Sequence, residues 1–344
     1  MNREKRLRAG ICMEVLLLLM MVGVYLLRAG ADDKEQAVVT ATTATGKDYI
    51  KWVDFTISYE ALCQAYDWDV NTHTSEHPVE WIPLLAYTAA RTGGEFDKKA
   101  LQILEEAAEK LSGGEVQMEE LTRDMKYYPY YLEAYSAALG GLVGEYEAEV
   151  PGENGQITTQ KKYGLKGYCP IARGFDYTHY DDFGTGRNYG YKRRHLGHDM
   201  MGLVGTPIVA IESGTVEALG WNQYGGWRIG IRSFDKKRYY YYAHLRQNYP
   251  YAEGLEEGSV VTAGDVIGYM GHTGYSTKEN VNNIEVTHLH WGLELVFDEA
   301  QKESDNEIWI DVYPLTRFLA KHTQEVMKVE GTREWIRTTK IKEF

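Results

Sequence analysis

The spacing of apolar residues changes from a helical to an extended period along this chain, and that change restricts the fold more than any other feature of the sequence. Up to about residue 150, apolar residues recur every three or four positions, as at Leu101, Leu104 and Leu111. From Gly184 onward, short strand-like segments are separated by glycine turns, which is typical of an antiparallel sheet. We therefore predict an α+β chain organised by domains, in which an all-helical domain precedes an antiparallel β domain that is closed or sandwiched.

The helical domain is predicted over residues 48–150, and the sequence assigns it no role. Asp97 is a plausible N-cap, and Gly113 stands just past the end of the helix that follows. Pro129 interrupts the last helical stretch. The predicted helical segments are 49–65, 78–91, 98–111 and 118–146.

The second half of the chain is predicted to begin after a linker. Residues 151–164 are polar, contain glycine and proline and show no period, so we assign the linker to them. The β domain is predicted over 165–320 and a C-terminal tail over 321–344. The predicted strands are 206–211, 214–219, 227–232, 239–244, 259–261, 266–270 and 290–296.

The amino-terminal segment has the pattern of a membrane anchor or a signal peptide. Residues 1–10 are basic, and residues 11–27 are apolar except for Glu14. We predict an uncleaved signal anchor within residues 1–31, and the alternative is cleavage near Ala31 after the A-x-A sequence. In either case the basic flank stays inside, so residues from about 32 onward are predicted to lie outside the cytoplasm, with 32–47 as a tether.

The net charge excludes one class of partner. The chain carries a formal charge of −13 over 344 residues, and its sequence pI is about 5.3. No net positive field exists to collect phosphates, so we predict that the protein does not bind nucleic acid.

The cysteines show no metal-binding spacing. Cys12 lies in the apolar amino-terminal segment, which leaves Cys63 and Cys169 either as a disulfide between the two predicted domains or as buried free thiols.

Histidines and one aspartate in the β domain have the composition of a metal centre. His195 and Asp199 stand four apart in R-R-H-L-G-H-D-M, and His288 and His290 alternate in T-H-L-H-W. A catalytic zinc ion takes three protein ligands and keeps a fourth position for water. Residues 288 and 290 of a strand share a face, so one can bind metal while the other acts as an acid–base group. His244, in Y-A-H-L, stands between the two motifs.

These motifs, taken in order, resemble the lysostaphin/LytM-type zinc metallo-endopeptidases. The resemblance covers about residues 180–318 and rests on R-R-H-L-G-H-D, G-T-P-I-V-A-I-E-S-G-T-V, Y-Y-A-H-L, G-D-V-I-G-Y-M-G-H-T-G-Y-S and T-H-L-H-W-G-L-E-L. It implies a small antiparallel β core with a groove and one zinc ion per chain. It also implies metal ligands at His195, Asp199 and His290, catalytic histidines at His244 and His288, and cleavage of peptide bonds in bacterial peptidoglycan by metal-activated water.

Three features depart from the family pattern. His198 stands where an aliphatic residue is usual, and we predict a supporting or surface role for it rather than metal binding. His272 stands where asparagine is common and either lines the groove or fills a turn. Residues 277–286 lengthen a loop that borders the cleft in this family, so we expect them to influence substrate choice.

Two classes of function follow from these observations. The first is an active zinc endopeptidase tethered outside the cytoplasmic membrane, with peptide stems or cross-links of peptidoglycan as substrate. The second is a non-catalytic envelope scaffold or activator that uses the same fold to bind peptidoglycan or a partner protein. The presence of all five site residues favours the enzyme. The sequence does not name the bond that is cleaved, and the helical domain is a candidate surface for an envelope protein partner.

Overall fold

A computed structural model describes residues 40–42, 48–152, 156–188, 192–302, 304 and 306–343. The predicted membrane anchor or signal peptide of residues 1–31 lies outside the described residues, and so does most of the predicted tether. Thr40–Phe344 form one compact unit. Among the helices in the described ranges, none combines the length and the apolar character that a membrane crossing requires.

The helical region precedes the main sheet in the chain, as predicted. Ser58 caps its first helix by accepting a hydrogen bond from the Ala61 amide, and Asp97 caps the third by accepting from Lys99 and Ala100. The third helix confirms the prediction for 98–111. The helices of this region are α1 (Tyr59–Thr72), α2 (Trp81–Thr92), α3 (Lys98–Ser112), α4 (Met118–Thr122) and α5 (Tyr128–Leu139).

Two helical predictions are corrected by the structure. The first helix begins ten residues later than predicted, because Ser58 supplies the N-cap and residues before it are extended. The last predicted stretch breaks into α4 and α5, since Pro129 fits only the first turn of a new helix. Its carboxyl end becomes a β-strand, Val143–Pro151.

An eight-stranded antiparallel sheet forms the body of the second half. Five of its eight strands follow the predicted segments closely, because alternation and glycine turns are local signals, whereas its strands at 178–180, 198–201 and 308–310 were not predicted. The strands up to β16 are β1 (Thr40–Thr42), β2 (Asp48–Ile50), β3 (Val143–Pro151), β4 (Ile157–Leu165), β5 (Thr178–Tyr180), β6 (Gly186–Asn188), β7 (Lys192–Arg194), β8 (His198–Met201), β9 (Pro207–Val209), β10 (Gly214–Asn222), β11 (Gly226–Ser233), β12 (Arg238–Ala243), β13 (Val260–Val261), β14 (Val266–Tyr269), β15 (His288–Leu295) and β16 (Ile308–Ile310). The sheet has the order β13–β10–β11–β12–β15–β8–β5, and β16 also pairs with β15.

The predicted linker and tail are both partly strand. Residues 157–165 form β4, which pairs along its whole length with β3, so the predicted linker is mostly one arm of a hairpin. The tail follows helix α6 (Tyr313–Leu319) and contains β17 (Val326–Lys328), β18 (Trp335–Arg337) and β19 (Ile341–Glu343). β19 pairs with β3, so the end of the described chain joins the hairpin to form a three-stranded sheet.

The helices and the main sheet share one hydrophobic core. Leu62 and Leu84 of the helices belong to the same buried cluster as Tyr240 and Trp291 of the sheet. Trp81 at the start of α2 stacks against Phe318 of α6, with ring centroids 5.8 Å apart. The two predicted parts therefore keep their secondary-structure classes but pack as one body.

A buried ion pair crosses the boundary between the helices and the sheet. Arg238, at the start of β12, is 2% exposed and pairs with Glu212, whose Oε2 lies 2.7 Å from the arginine Nε. Arg238 Nη1 also donates a hydrogen bond of 2.7 Å to the carbonyl of Ala137 in α5. Tyr240 donates to Glu212 as well, at 2.7 Å. The carbonyl groups in the last turn of a helix have no partner within the helix. Arg238 supplies a partner for one of them in α5.

The two cysteines of the described chain are free thiols. Cys169 is buried, and burial raises the pKa of its thiol, whereas Cys63 is partly exposed in α1. The structure therefore favours the second of the two alternatives for this pair.

Candidate metal centre

Three neighbouring strands bring the predicted site residues together. β15 lies between β12 and β8, with Ala243 and Asp199 both registered against His290. His244 directly follows β12, and His288 stands two residues before His290 on the same face of β15. Sheet register, rather than proximity in sequence, therefore assembles the site.

The side chains of His195, Asp199 and His290 form a group that could hold a metal ion. His195 Nε2 lies 3.0 Å from Asp199 Oδ1 and 2.9 Å from His290 Nδ1, and His290 Nδ1 lies 2.9 Å from Asp199 Oδ1. Tetrahedral bonds of 2.0–2.1 Å to zinc require edges of about 3.3 Å, so this triangle needs to open by only a few tenths of an ångström. Two imidazoles and one carboxylate are also the donor types that zinc accepts.

Gly197 allows His290 to approach the His195–Asp199 segment. A Cβ atom at residue 197 would lie 2.6 Å from His290 Cε1 and 2.6 Å from the carbonyl oxygen of Trp291. Real Cβ atoms essentially never make contacts this short, and one of the two atoms is backbone that cannot rotate away. The glycine of H-x-G-x-D is therefore required by close packing against β15.

Two residues that the sequence analysis did not single out contact the metal-binding side chains. Asp182 Oδ1 lies 2.6 Å from His195 Nδ1. Arg187 Nη2 donates hydrogen bonds to Asp199 Oδ2 at 2.7 Å and to Asp182 Oδ2 at 3.0 Å. The negative charge of Asp182 beside Nδ1 favours the His195 tautomer that carries its proton there, which leaves Nε2 free to bind a metal. Neither residue belongs to a short motif, which is why pattern reasoning missed them.

The electrostatics of Asp199 and His290 suit metal binding. Burial alone would raise the pKa of Asp199, but the adjacent imidazoles of His195 and His290 lower it far below its usual range, so the carboxylate is charged. Burial lowers the pKa of His290 to about 4, so this ring is neutral at physiological pH. A charged carboxylate and a neutral imidazole are the forms that bind metal ions.

The two predicted catalytic histidines are buried beside this group and share one tautomer. His244 Nδ1 lies 2.9 Å from the carbonyl oxygen of Thr273, and His288 Nδ1 lies 2.8 Å from that of Val286. Since a carbonyl oxygen only accepts, each Nδ1 carries the proton, and each Nε2 of the neutral ring is available as a base. His288 Nε2 is buried without a hydrogen-bond partner among the described residues and lies 3.8 Å from Asp199 Oδ2.

His244 has an unusual backbone conformation. Its φ angle is 62°, in the left-handed region that residues with a side chain rarely adopt. Such strain concentrates at functional sites and here directs the ring toward His288, with centroids 4.7 Å apart.

Burial, followed by the neighbouring His288 and His290, holds the pKa of His244 well below its usual range. Burial also lowers the pKa of His288, although Asp199 opposes the shift.

Cavities open on two sides of the metal-binding group. One is lined by His195, His244 and His290 together with Tyr241 and Trp309. The other is lined by Asp199, His288 and Arg187 and by residues 283–286 of the lengthened loop. The loop thus borders the site, as predicted, and a chain bound across the group would contact both cavities.

His198 and His272 lie outside the metal-binding group. His198 is 2% exposed, and its Nε2 lies 2.8 Å from His179 Nδ1, while its ring centroid lies 5.0 Å from that of Tyr313. Successive residues of β8 point to opposite faces, so His198 faces away from the side that Asp199 presents. His272 Nδ1 lies 2.7 Å from the carbonyl oxygen of Ile284 and therefore anchors the end of the lengthened loop.

Two imidazoles and a carboxylate between two cavities, with two neutral histidines beside them, are the metal-binding and acid–base groups that a metal-dependent hydrolase uses. Residues 193–303 match the family model of peptidase family M23. This segment is therefore similar to that family, and the resemblance to lysostaphin/LytM-type peptidases predicted from the motifs is confirmed.

Two curated relatives cover part of the chain. The L-Ala–D-Glu endopeptidase of Bacillus subtilis is 33% identical over 160 residues, which are 46% of this chain and 45% of the relative. Lysostaphin of Staphylococcus simulans is 37% identical over 89 residues, which are 26% of this chain and 17% of the relative. The chain thus spans less than half the length of these relatives.

A solved structure extends the likeness beyond the peptidase segment. It comes from Ruminococcus gnavus, is provisionally described as the glycyl-glycine endopeptidase lytM, and is 25% identical with a TM-score of 0.52. The match covers 79% of this chain and 91% of that one. Coverage of this extent cannot be reached within residues 151–344 alone, so the shared fold includes part of the helical region.

Proposed function

We propose that this protein is a zinc-dependent endopeptidase that hydrolyses peptide bonds of bacterial cell-wall peptidoglycan. The observation that carries the proposal is the convergence of His195 Nε2, Asp199 Oδ1 and His290 Nδ1 within 3.0 Å of one another. The names of the relatives support the substrate class, since one is an L-Ala–D-Glu endopeptidase and another is lysostaphin.

The chain's own residues supply the proton transfers. A zinc ion bound by His195, Asp199 and His290 would polarise the scissile carbonyl and acidify a water molecule. The free Nε2 of His288 or His244 would accept a proton from the attacking water, and the same ring would then donate that proton to the leaving amine. Their low pKa values keep both rings neutral, and thus able to accept a proton, at physiological pH.

The experiment combines metal analysis with turnover by the full chain. We expect about one zinc ion per chain, and release of new amino groups from purified peptidoglycan. His290→Ala and Asp199→Ala should abolish zinc binding and hydrolysis together, whereas His73→Ala, in the helical region, should leave both unchanged. A chain that binds zinc but releases no amino groups would support the scaffold alternative, and a chain that binds no zinc would overturn the metal assignment.

We further propose that residues from about 32 onward act outside the cytoplasm, tethered by a single-pass anchor within residues 1–31. The basic flank and apolar run of the sequence support this placement. The mass of the native amino terminus tests it. A mature protein that begins near Asp32 would replace the anchor with a cleaved signal peptide, and a protein recovered in the cytoplasm would contradict export.

A further inference from the structure

One guanidinium group contacts two carboxylates beside the metal-binding side chains. Arg187 Nη2 lies 2.7 Å from Asp199 Oδ2, and 3.1 and 3.0 Å from the two carboxylate oxygens of Asp182. The side chains of Arg187 and Asp182 are each 16% exposed, and that of Asp199 is 2% exposed. Ion pairs this sheltered from water are only weakly screened. These contacts therefore hold the three side chains in place as well as balancing their charges.

The two oxygens of Asp199 have different partners. Oδ1 faces the nitrogens of His195 and His290, at 3.0 and 2.9 Å. Oδ2 receives the hydrogen bond from Arg187. A carboxylate with one oxygen occupied in this way offers the other oxygen alone to a metal ion.

The same guanidinium also acts on the histidine ligand. Asp182 Oδ1 lies 2.6 Å from His195 Nδ1, on the side of the ring opposite Nε2. Arg187 thus holds Asp182 by hydrogen bonds to both of its oxygens, and the carboxylate of Asp182 lies against Nδ1 of His195. The connection is local, because Arg187 lies in β6 and β6 pairs with β7, the strand that leads into His195.

We propose that Arg187 is a positioning residue that restricts Asp199 to one metal-binding oxygen and holds Asp182 beside Nδ1 of His195. The proposal rests on the proposed metallopeptidase function. Restricting Asp199 to one oxygen keeps a coordination position open for water or the substrate carbonyl, as a catalytic zinc site requires. The hydrogen bond from Arg187 also withdraws negative charge from the metal-binding oxygen of Asp199. The metal ion is therefore a stronger electrophile than it would be without Arg187. Without Arg187, Asp199 Oδ2 is free to rotate toward the metal.

The test measures metal binding directly, without relying on activity. Zinc affinity is determined by competition with a chromophoric chelator, and the coordination of the bound metal is read from the visible spectrum of the cobalt-substituted protein. We expect Arg187→Ala to weaken zinc affinity about 10- to 100-fold, the range for loss of a residue that orients metal ligands. We also expect weaker visible absorption of the cobalt form, because a two-oxygen Asp199 raises the coordination number. Arg187→Lys keeps the charge and should lose less than Arg187→Ala.

Two comparisons separate a positioning role from general stability. Arg173→Ala removes an exposed ion pair with Glu325 and should change neither zinc affinity nor the cobalt spectrum. Thermal unfolding of the metal-free variants reports any loss of stability. If Arg187→Ala lowers only the melting temperature while zinc affinity and the cobalt spectrum stay as in the wild type, the inference is wrong. If the wild-type chain itself binds no zinc, the proposed function fails first.

Discussion

Gly197 determines how closely β15 approaches the segment that carries His195 and Asp199. We predict that Gly197→Ala removes metal binding, because the added Cβ would meet His290 Cε1 and the Trp291 carbonyl oxygen, each at 2.6 Å. Zinc content after dialysis and the circular dichroism spectrum check this prediction. Gly186→Ala is the control, because a Cβ there meets nothing within 4 Å. A Gly197→Ala chain that retains full zinc would show that the strand can shift at little cost.

His244 and His288 are predicted to act in the reaction without binding the metal. His244→Ala and His288→Ala should each reduce kcat about 10²- to 10⁴-fold, the usual contribution of a positioned acid or base, while zinc content stays at the wild-type level. Release of amino groups from peptidoglycan and metal analysis check the two parts separately. Loss of zinc from either variant would instead make that histidine a ligand.

At the residue scale, the sequence predicted which groups meet but not what holds them. His195, Asp199, His244, His288 and His290 converge because their motifs end on neighbouring strands. Asp182 and Arg187 could not be found in this way. Their contribution depends on side-chain contacts across a hairpin, and neither the spacing nor the type of the residues indicates those contacts.

At the element scale, His322 makes the segment after α6 sensitive to pH. Its Nδ1 lies 3.0 Å from the carbonyl oxygen of Gly167, and its ring centroid lies 3.9 Å from that of Tyr168. Burial lowers the pKa of His322 below its usual 6.5. The unfolded chain therefore binds the proton more tightly, and the free energy of unfolding falls as the pH decreases below about 6.5.

We predict that His322→Asn reduces this pH dependence, because the asparagine amide can donate to Gly167 but does not titrate. Urea unfolding at pH 7.5 and pH 5.5 measures the effect as the difference between wild type and variant, which removes the contributions of the other histidines. Equal losses of stability in both proteins on acidification would exclude His322 as a source.

Elements were predictable where their signal was local. The strands from β9 to β14 have alternation and glycine turns, and α3 has a cap at each end. β4 lacks such a signal, because most of its residues are exposed and polar, and it is a strand through its pairing with β3. β19 depends likewise on a partner far away in sequence.

At the scale of the whole molecule, Arg238 links the sheet to the helical region. We predict that Arg238→Met destabilises the full chain by about 3–5 kcal/mol, because Glu212 would keep a buried charge without its partner. Urea unfolding of the full chain measures the loss. Arg173→Ala removes an exposed pair and should cost about 0–1 kcal/mol.

A double variant identifies the cause of that loss. Arg238→Met with Glu212→Gln removes both charges, so it should recover part of the stability lost in the single variant. No recovery would mean that the hydrogen bond to the Ala137 carbonyl dominates. Either result bears on the predicted division at 151–164, because residues 165–320 alone would leave Arg238 without its contact to α5.

The pairing of β19 with β3 also sets an order of events during synthesis. Ala148 of β3 is made early, whereas its partner Ile341 follows roughly 190 residues later. At a synthesis rate of about 5–20 residues per second, the edge of β3 stays uncovered for about 10–40 s before β19 is made. A bare strand edge can pair with other chains, so the edge of β3 is open to such pairing until β19 has been made.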